Sequence, residues 1–325
     1  MDFSVLDIPL IDFLQIDLPA LLVAVFAAIV CAIPGSFLVL RKQSLIGDAI
    51  SHVVLPGIVA GFLLSGTLAA IPMTLGALGA AVISVLLIEL IRVLGKIETG
   101  AAMGVVFTSM FALGVVMLEQ TGSSGVHLDV EHALYGNLES TLWLGLEKWS
   151  DLWSARGWET MPLRLQQLSI ALICVVAFVS VFFKELKLST FDPLLATSLG
   201  FSARIMSFGL VIATALAAVS AFGAVGAILA IAMFICPPSA ARMLTDRLSS
   251  QLWLSALYAG LSAILGYGLA AFGPLVLGTD FALNAAGMIA VVAFVLQFVT
   301  MLLAPRYGIL SRRIKSEIET EKAPS

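Results

Sequence analysis

Long apolar runs separated by short polar or basic segments fill this chain from about residue 18 to residue 304. A helix that crosses the hydrocarbon core of a bilayer needs about 20 predominantly apolar residues. On that measure the pattern predicts nine spans, near 18–40, 44–65, 68–92, 100–119, 166–183, 205–222, 224–241, 251–272 and 284–304. One region has a second reading. Ala-Phe-Gly-Ala-Val-Gly at 221–226 can be a break inside a bent element, and the pair 205–241 then counts once, leaving eight spans.

Basic residues recur at alternate ends of these runs. Arg41 and Lys42 follow the first span, Arg92 and Lys96 the third, and Lys184, Lys187 and Arg204 the fifth. Arg242 and Arg247 follow the seventh, and Arg306, Arg312, Arg313 and Lys315 the ninth. Short cytoplasmic loops carry the excess of Lys and Arg. This predicts an extracytoplasmic N-terminal segment (1–17), a transmembrane domain (18–305) and a cytoplasmic tail (306–325). The first 17 residues agree, with Asp2, Asp7, Asp12 and Asp17 and no Lys or Arg. That is the reverse of a signal peptide's basic start, so no cleavable signal is expected. The longest outward segment, 120–165, holds four of the five Trp, at 143, 149, 153 and 158. Trp favours membrane–water interfaces, which predicts short amphipathic helices lying on the outer surface.

Composition fixes the class. The chain is 60% hydrophobic and 12% charged, with mean hydropathy +1.06, whereas soluble domains are about half apolar and a quarter charged. An all-α integral membrane protein, a polytopic helical bundle in contact with membrane lipid, is expected, with nothing spare for a large soluble enzyme domain. Dense small residues, such as Gly76-Ala77-Leu78-Gly79-Ala80-Ala81 and Ala213 to Ala218, predict close helix packing. Cys31, Cys174 and Cys236 are far apart in apolar segments and read as small hydrophobes. No phosphate-binding G-x-x-x-x-G-K-[ST] loop, G-x-S-x-G or H-E-x-x-H run occurs. The chain is expected not to be an enzyme, and any ATP it uses must be hydrolysed by another chain. No nucleic-acid partner is expected.

Few polar residues interrupt the spans. Glu89 lies three residues before Arg92 and predicts a local ion pair. Asp280, near Gly278, reads as a turn residue. Gly47-Asp48-Ala49-Ile50-Ser51-His52 differs, because it places a carboxylate and an imidazole one turn apart on one helix face. His52 then lies roughly 12 Å along the second span at about 1.5 Å per residue, near mid-membrane. A charge there costs a few kcal/mol and calls for a function. Pro56-Gly57 one turn on loosens the helix and frees carbonyls. Three readings stand on spacing alone: a pair locking two helices together, a ligand set suited to Mn, Fe or Zn, and a proton relay. In the outer segment His127, Asp129, Glu131 and His132 form a second candidate cluster, a rim that collects cations.

Longer motifs add a resemblance. "RKQSLIGDAISHVVLPGIVAGFLL" (41–64) resembles the signature of permease subunits of manganese/zinc/iron ABC importers, through Arg41, Lys42, Ser44, Gly47, Asp48, Ser51, His52, Leu55, Pro56 and Gly57. "KELKLSTFDPLLATSLGF" (184–201) is similar to that family's cytoplasmic coupling segment, through Phe191, Asp192, Pro193, Ala196, Leu199 and Gly200. "LYGNL" (134–138) and "GAVGAILAIAMFICPPSAARMLTDRL" (223–248) also fit the family pattern, although the outer segment is longer and richer in Trp than that pattern requires.

The resemblance implies a type II ABC importer permease fold in a bacterial plasma (inner) membrane. It implies a transported divalent metal ion held by Asp48 and His52, supported by Gly47, Ser51, Pro56 and Gly57, with no permanently bound cofactor. It also implies a second permease subunit, cytoplasmic ATP-binding subunits docked at 184–204, and an extracytoplasmic metal-binding protein. The competing expectations are a proton-coupled secondary transporter using Asp48 and His52 as a relay, and an ABC permease for metal chelates. Residues 189–201 are expected to form a short helix–turn–helix, with Asp192 before Pro193 capping a first turn and Gly200 at a helix end.

Overall fold

A computed structural model of the chain describes residues 10–44, 46–67, 70–122, 138–278, 283–305 and 307–308. Eleven helices organise the described residues: α1 (Leu18–Leu40), α2 (Ile46–Ser65), α3 (Ala70–Gly95), α4 (Thr99–Gly122), α5 (Leu163–Val181), α6 (Phe183–Phe191), α7 (Pro193–Ser198), α8 (Ala203–Val225), α9 (Ala227–Leu244), α10 (Leu248–Leu277) and α11 (Ala285–Leu303). All except α6 and α7 are long and apolar enough to cross a membrane, giving nine candidate spans among the described residues. A short π-helical turn, Phe13–Asp17, leads into α1. The pair read with difficulty from sequence resolves into two helices. Gly226 takes φ 82° and ψ 168°, a conformation essentially confined to glycine, and stops α8 one residue before α9 begins.

α1 is the hub. It packs against α5, α8, α9 and α10, and its Val23, Ala24, Ala28, Val30, Cys31 and Ala32 are fully buried. Ala and Gly allow backbones to approach closely where lipid tails give no hydrophobic drive between helices. Gly35 shows how closely: a Cβ there would stand 2.5 Å from the Phe234 carbonyl oxygen on α9. Large side chains point outward instead, among them Ile83, Leu86 and Leu90 on α3, Ile170 and Ile173 on α5, and Phe294 and Phe298 on α11. An apolar exterior of this kind suits hydrocarbon rather than water.

α2 forms a second unit with α3 and α4. A Cβ on Gly57 would lie 2.5 Å from the Gly76 carbonyl oxygen, and a Cβ on Gly76 would collide with that of Gly57. On the other side, a Cβ on Gly114 of α4 would meet Pro56 Cδ at 2.8 Å. Backbone therefore packs directly on backbone around the helix that carries Asp48 and His52.

The described part of the segment 120–165 folds back on itself. Trp149–Trp153 form a 3₁₀ turn and Ala155–Glu159 a single helical turn. Trp149, Trp153 and Trp158 are exposed, but Trp143 is buried. Its indole donates to the Gly157 carbonyl at 3.0 Å, and its backbone N–H donates to the Gln15 carbonyl at 2.9 Å. Gln15 Nε2 donates in return to the Leu146 carbonyl at 2.9 Å. These bonds tie the segment to the start of α1. The exposed Asp151 carboxylate accepts from the backbone N–H groups of Glu147 and Lys148 at 3.0 and 2.9 Å, which holds it below the usual carboxylate range. His127, Asp129, Glu131, His132, Asp280 and residues 134–137 lie outside the described residues.

The glycine contacts make a direct test. Gly76→Ala drives a methyl into the Gly57 backbone and should cost about 1–3 kcal/mol as an overpacked contact. Gly79, one turn on, faces open space, so Gly79→Ala should be neutral or slightly stabilising. Thermal unfolding of the detergent-solubilised protein should fall in midpoint for the first variant only.

Candidate metal site and coupling elements

Gly47, Asp48, Ser51, His52, Pro56 and Gly57 all fall on α2. Gly47 packs against α9, where a Cβ would stand 2.9 Å from the Phe234 ring. Asp48 Oδ1 and His52 Nε2 are 3.7 Å apart. That is too long for a hydrogen bond. Two ligands bonded to one ion at about 2.1 Å, with an angle between tetrahedral and trigonal, sit roughly 3.4–3.7 Å apart. The spacing therefore fits a shared cation. Their side chains keep 35% and 41% of their surface exposed, so both are reachable. Pro56 has no N–H to offer the His52 carbonyl one turn back, which removes a helical bond at the same point.

Two aromatic residues fix the imidazole. Phe107 stacks on His52 with ring centroids 5.7 Å apart and planes at 15°. Phe111 meets it edge-on, also at 5.7 Å, with planes at 87°. Both lie on α4, four residues apart and therefore on one face. Among the described residues no third His, Cys, Asp or Glu completes a ligand cluster with the pair.

The segment 183–201 holds two helices, α6 and α7, joined at Asp192. The Asp192 carboxylate accepts from Leu195 N–H at 2.9 Å, and Pro193 takes the first helical position. Gly200, at φ 87°, closes the unit, and Phe201 N–H donates to the Ala196 carbonyl at 2.9 Å. Ala196 is fully buried, whereas Phe191, Leu194, Leu195 and Leu199 are exposed. Ala196 thus supports α7 from behind, and the apolar face belongs to its neighbours.

Arg41, just beyond α1, reaches this segment. Its guanidinium donates to Thr190 Oγ1 at 3.0 Å, Ser207 Oγ at 2.8 Å and Ser189 Oγ at 2.9 Å. Burial pushes its pKa down to about 10, which leaves it protonated at neutral pH. A cavity of about 520 Å³ opens beside it, lined by Lys42, Arg92 and Arg204 as well as Arg41, with Glu89 as the one carboxylate. Glu89 is engaged by Arg92 at 2.7 Å, the expected local pair. This cavity is walled by Ile46, Ala49, Ile50 and Val53 of α2 and does not include Asp48 or His52. Its surplus of positive charge would repel a divalent cation, so this cavity is a poor seat for a metal ion.

The model of the ABC 3 transport family matches residues 13–143 and 162–304. The chain belongs to the ABC 3 transport family. It is 36% identical over 300 residues to the manganese transport system membrane protein MntD of Bacillus subtilis, covering 92% of this chain and 96% of that protein. It is 40% identical over 291 residues to the zinc transport system membrane protein TroD of Treponema pallidum, covering 90% and 75%. The solved structure of PsaBC from Streptococcus pneumoniae in complex with Fab aligns with TM-score 0.70 and 27% identity over 92% of this chain and 94% of that one. As an ABC 3 family member this is a multi-pass membrane permease of the metal ABC importer class, as the residues at 41–64 and 184–201 led us to expect.

The sequence singles out Asp48 and His52 as candidates but not Phe107, Phe111 or the partners of Arg41. The i, i+4 spacing of Phe107 and Phe111 is the one signal that could have found the aromatic pair. Removing the stacking ring should free the imidazole. With His127 and His132 replaced by Asn, Phe107→Ala should raise the rate of His52 carbethoxylation several-fold, followed by absorbance in the detergent-solubilised protein. An unchanged rate would mean that Phe107 does not hold the ring.

Proposed function

We propose that this chain passes a divalent transition-metal ion (manganese, zinc or iron) across the bacterial inner membrane, using Asp48 and His52 as the ligands it contributes. The observation that carries this reading is the 3.7 Å separation of the two side chains on a helix packed backbone to backbone. A relay of protons between them would want hydrogen-bond contact, which this spacing does not provide.

Two ligands fall short of the four to six that first-row metals usually take. A second permease subunit, the same or a paralogue, would supply the remainder across a twofold or pseudo-twofold axis. Energy would come from ATP-binding subunits docked on the exposed face of α6 and α7, through Phe191, Leu194 and Leu199. The grouping of Arg41, Lys42, Arg92 and Arg204 around one cavity supports a cytoplasmic position for that face. The bonds from Gln15 to Trp143 and Leu146 support an opposite, external position for the N-terminal segment and the Trp-rich loop. That loop would receive the extracytoplasmic metal-binding protein.

In proteoliposomes holding the assembled transporter, Asp48→Ala and His52→Ala should each reduce manganese or zinc uptake at least tenfold while the subunits still co-purify. Uptake near the wild-type rate in the double variant would make the pair structural. A separate substitution tests the docking face: Leu194 is 84% exposed, and Leu194→Arg should abolish ATP-driven uptake without affecting insertion. Normal uptake in that variant would place the ATPase elsewhere.

A further inference from the structure

We propose that Arg41 is the positioning residue that transmits movement of the α6–α7 unit to the helix bearing Asp48 and His52. This rests on the proposed metal-permease function and specifies how the docking face and the metal site are linked.

The geometry is a three-way junction. One guanidinium bonds Ser189 and Thr190 at the end of α6 and Ser207 in the first turns of α8. It thereby straddles the short helix α7 that lies between them in the chain. Toward the metal site the connection is short and stiff. Arg41 N–H donates to the Phe37 carbonyl at 3.0 Å, Gln43 N–H to that of Leu38 at 2.8 Å and Ile46 N–H to that of Gln43 at 3.0 Å, so Gln43 ties the end of α1 to the start of α2. Lys42, at φ 57°, makes that turn tight. Asp48 lies in the first turn of α2, immediately beyond it. A shift of α6 is delivered through Arg41 to the turn, and through the turn to the start of the metal helix.

The chemistry of the partners suits a connection that must change. Among the described residues no carboxylate pairs with Arg41. Its acceptors are three neutral hydroxyls, and bonds to neutral groups are individually weaker than a bidentate carboxylate pair. The Ser189 hydroxyl in turn donates to the Leu186 carbonyl at 3.2 Å, which anchors it within α6. The fork of donors gives direction and register, while exchange of one hydroxyl for another leaves no buried carboxylate behind. The cavity of about 520 Å³ that Arg41 lines gives the side chain room to swing.

The test uses the assembled transporter in proteoliposomes with its ATPase and binding protein, recording ATP hydrolysis and metal uptake together. Arg41→Gln should keep at least half of the ATP hydrolysis yet deliver at least tenfold less metal per ATP. Arg41→Lys, which retains charge but not the fork, should fall between it and wild type. The hydroxyl-deleting triple variant Ser189→Ala/Thr190→Val/Ser207→Ala decides the matter should Arg41→Gln not assemble. It should reproduce the uncoupling, and adding Arg41→Gln should make it no worse. Wild-type metal delivered per ATP in either variant overturns the proposal. So does a parallel loss of hydrolysis and uptake with a lowered unfolding midpoint, which marks a purely structural contact. Failure of the unmodified transporter to move metal at all would instead sink the metal-permease reading.

Discussion

A carboxylate and an imidazole placed within an apolar helix constrain the rest of this molecule. Each polar group costs free energy inside a bilayer unless something answers it, and α2 can carry the pair only because its surroundings are unusually close. Gly57 and Gly76 bring α2 and α3 into backbone contact, Gly114 admits Pro56, and Gly47 admits the Phe234 ring. Enlarging any of these positions displaces the helix and with it both polar side chains. Phe107 and Phe111 then confine the imidazole, leaving its Nε2 facing the Asp48 carboxylate at a separation suited to a shared ion.

The same economy separates the candidate metal site from a cluster of basic side chains. Arg41, Lys42, Arg92 and Arg204 gather around a cavity on another face of α2. Their repulsion of cations is harmless there, because Asp48 and His52 are turned away. What joins the two regions is mechanical rather than electrostatic. Gln43 hydrogen-bonds to both α1 and α2 in the turn between them, and Arg41 fastens that turn to α6 and α8. In the proposed role, energy arriving at α7 reaches the metal ligands by displacement of packed elements, not by a field acting across the protein.

How much of this was legible in sequence depended on the range of each interaction. The nine spans were, since apolar length is a local property, and the α8–α9 junction showed itself in the glycines before residue 227. The cap of α7 was legible because Asp192 and Pro193 act within three residues. Asp48 and His52 stood out because ionisable groups are rare in apolar runs. Phe107 and Phe111 did not, since aromatic residues in a membrane helix look alike whether they face lipid or an imidazole. Arg41 read only as a marker of sidedness, because its partners lie about 150 residues away. Trp143 was assigned to the membrane interface with the other Trp, and only the carbonyl of Gly157 shows why it is buried. Ala196 was read with the docking residues, and its burial shows that it backs α7 rather than forming the exposed face.

The central claim is that His52 is a metal ligand in the path. Pulsed electron paramagnetic resonance of Mn(II) trapped in the assembled transporter tests it most directly, with histidine labelled uniformly with ¹⁵N and His127 and His132 replaced by Asn. The account predicts a directly bonded ¹⁵N coupling that falls by at least half in His52→Gln. A spectrum showing no coordinated nitrogen, or a nitrogen coupling unchanged in His52→Gln, would contradict it.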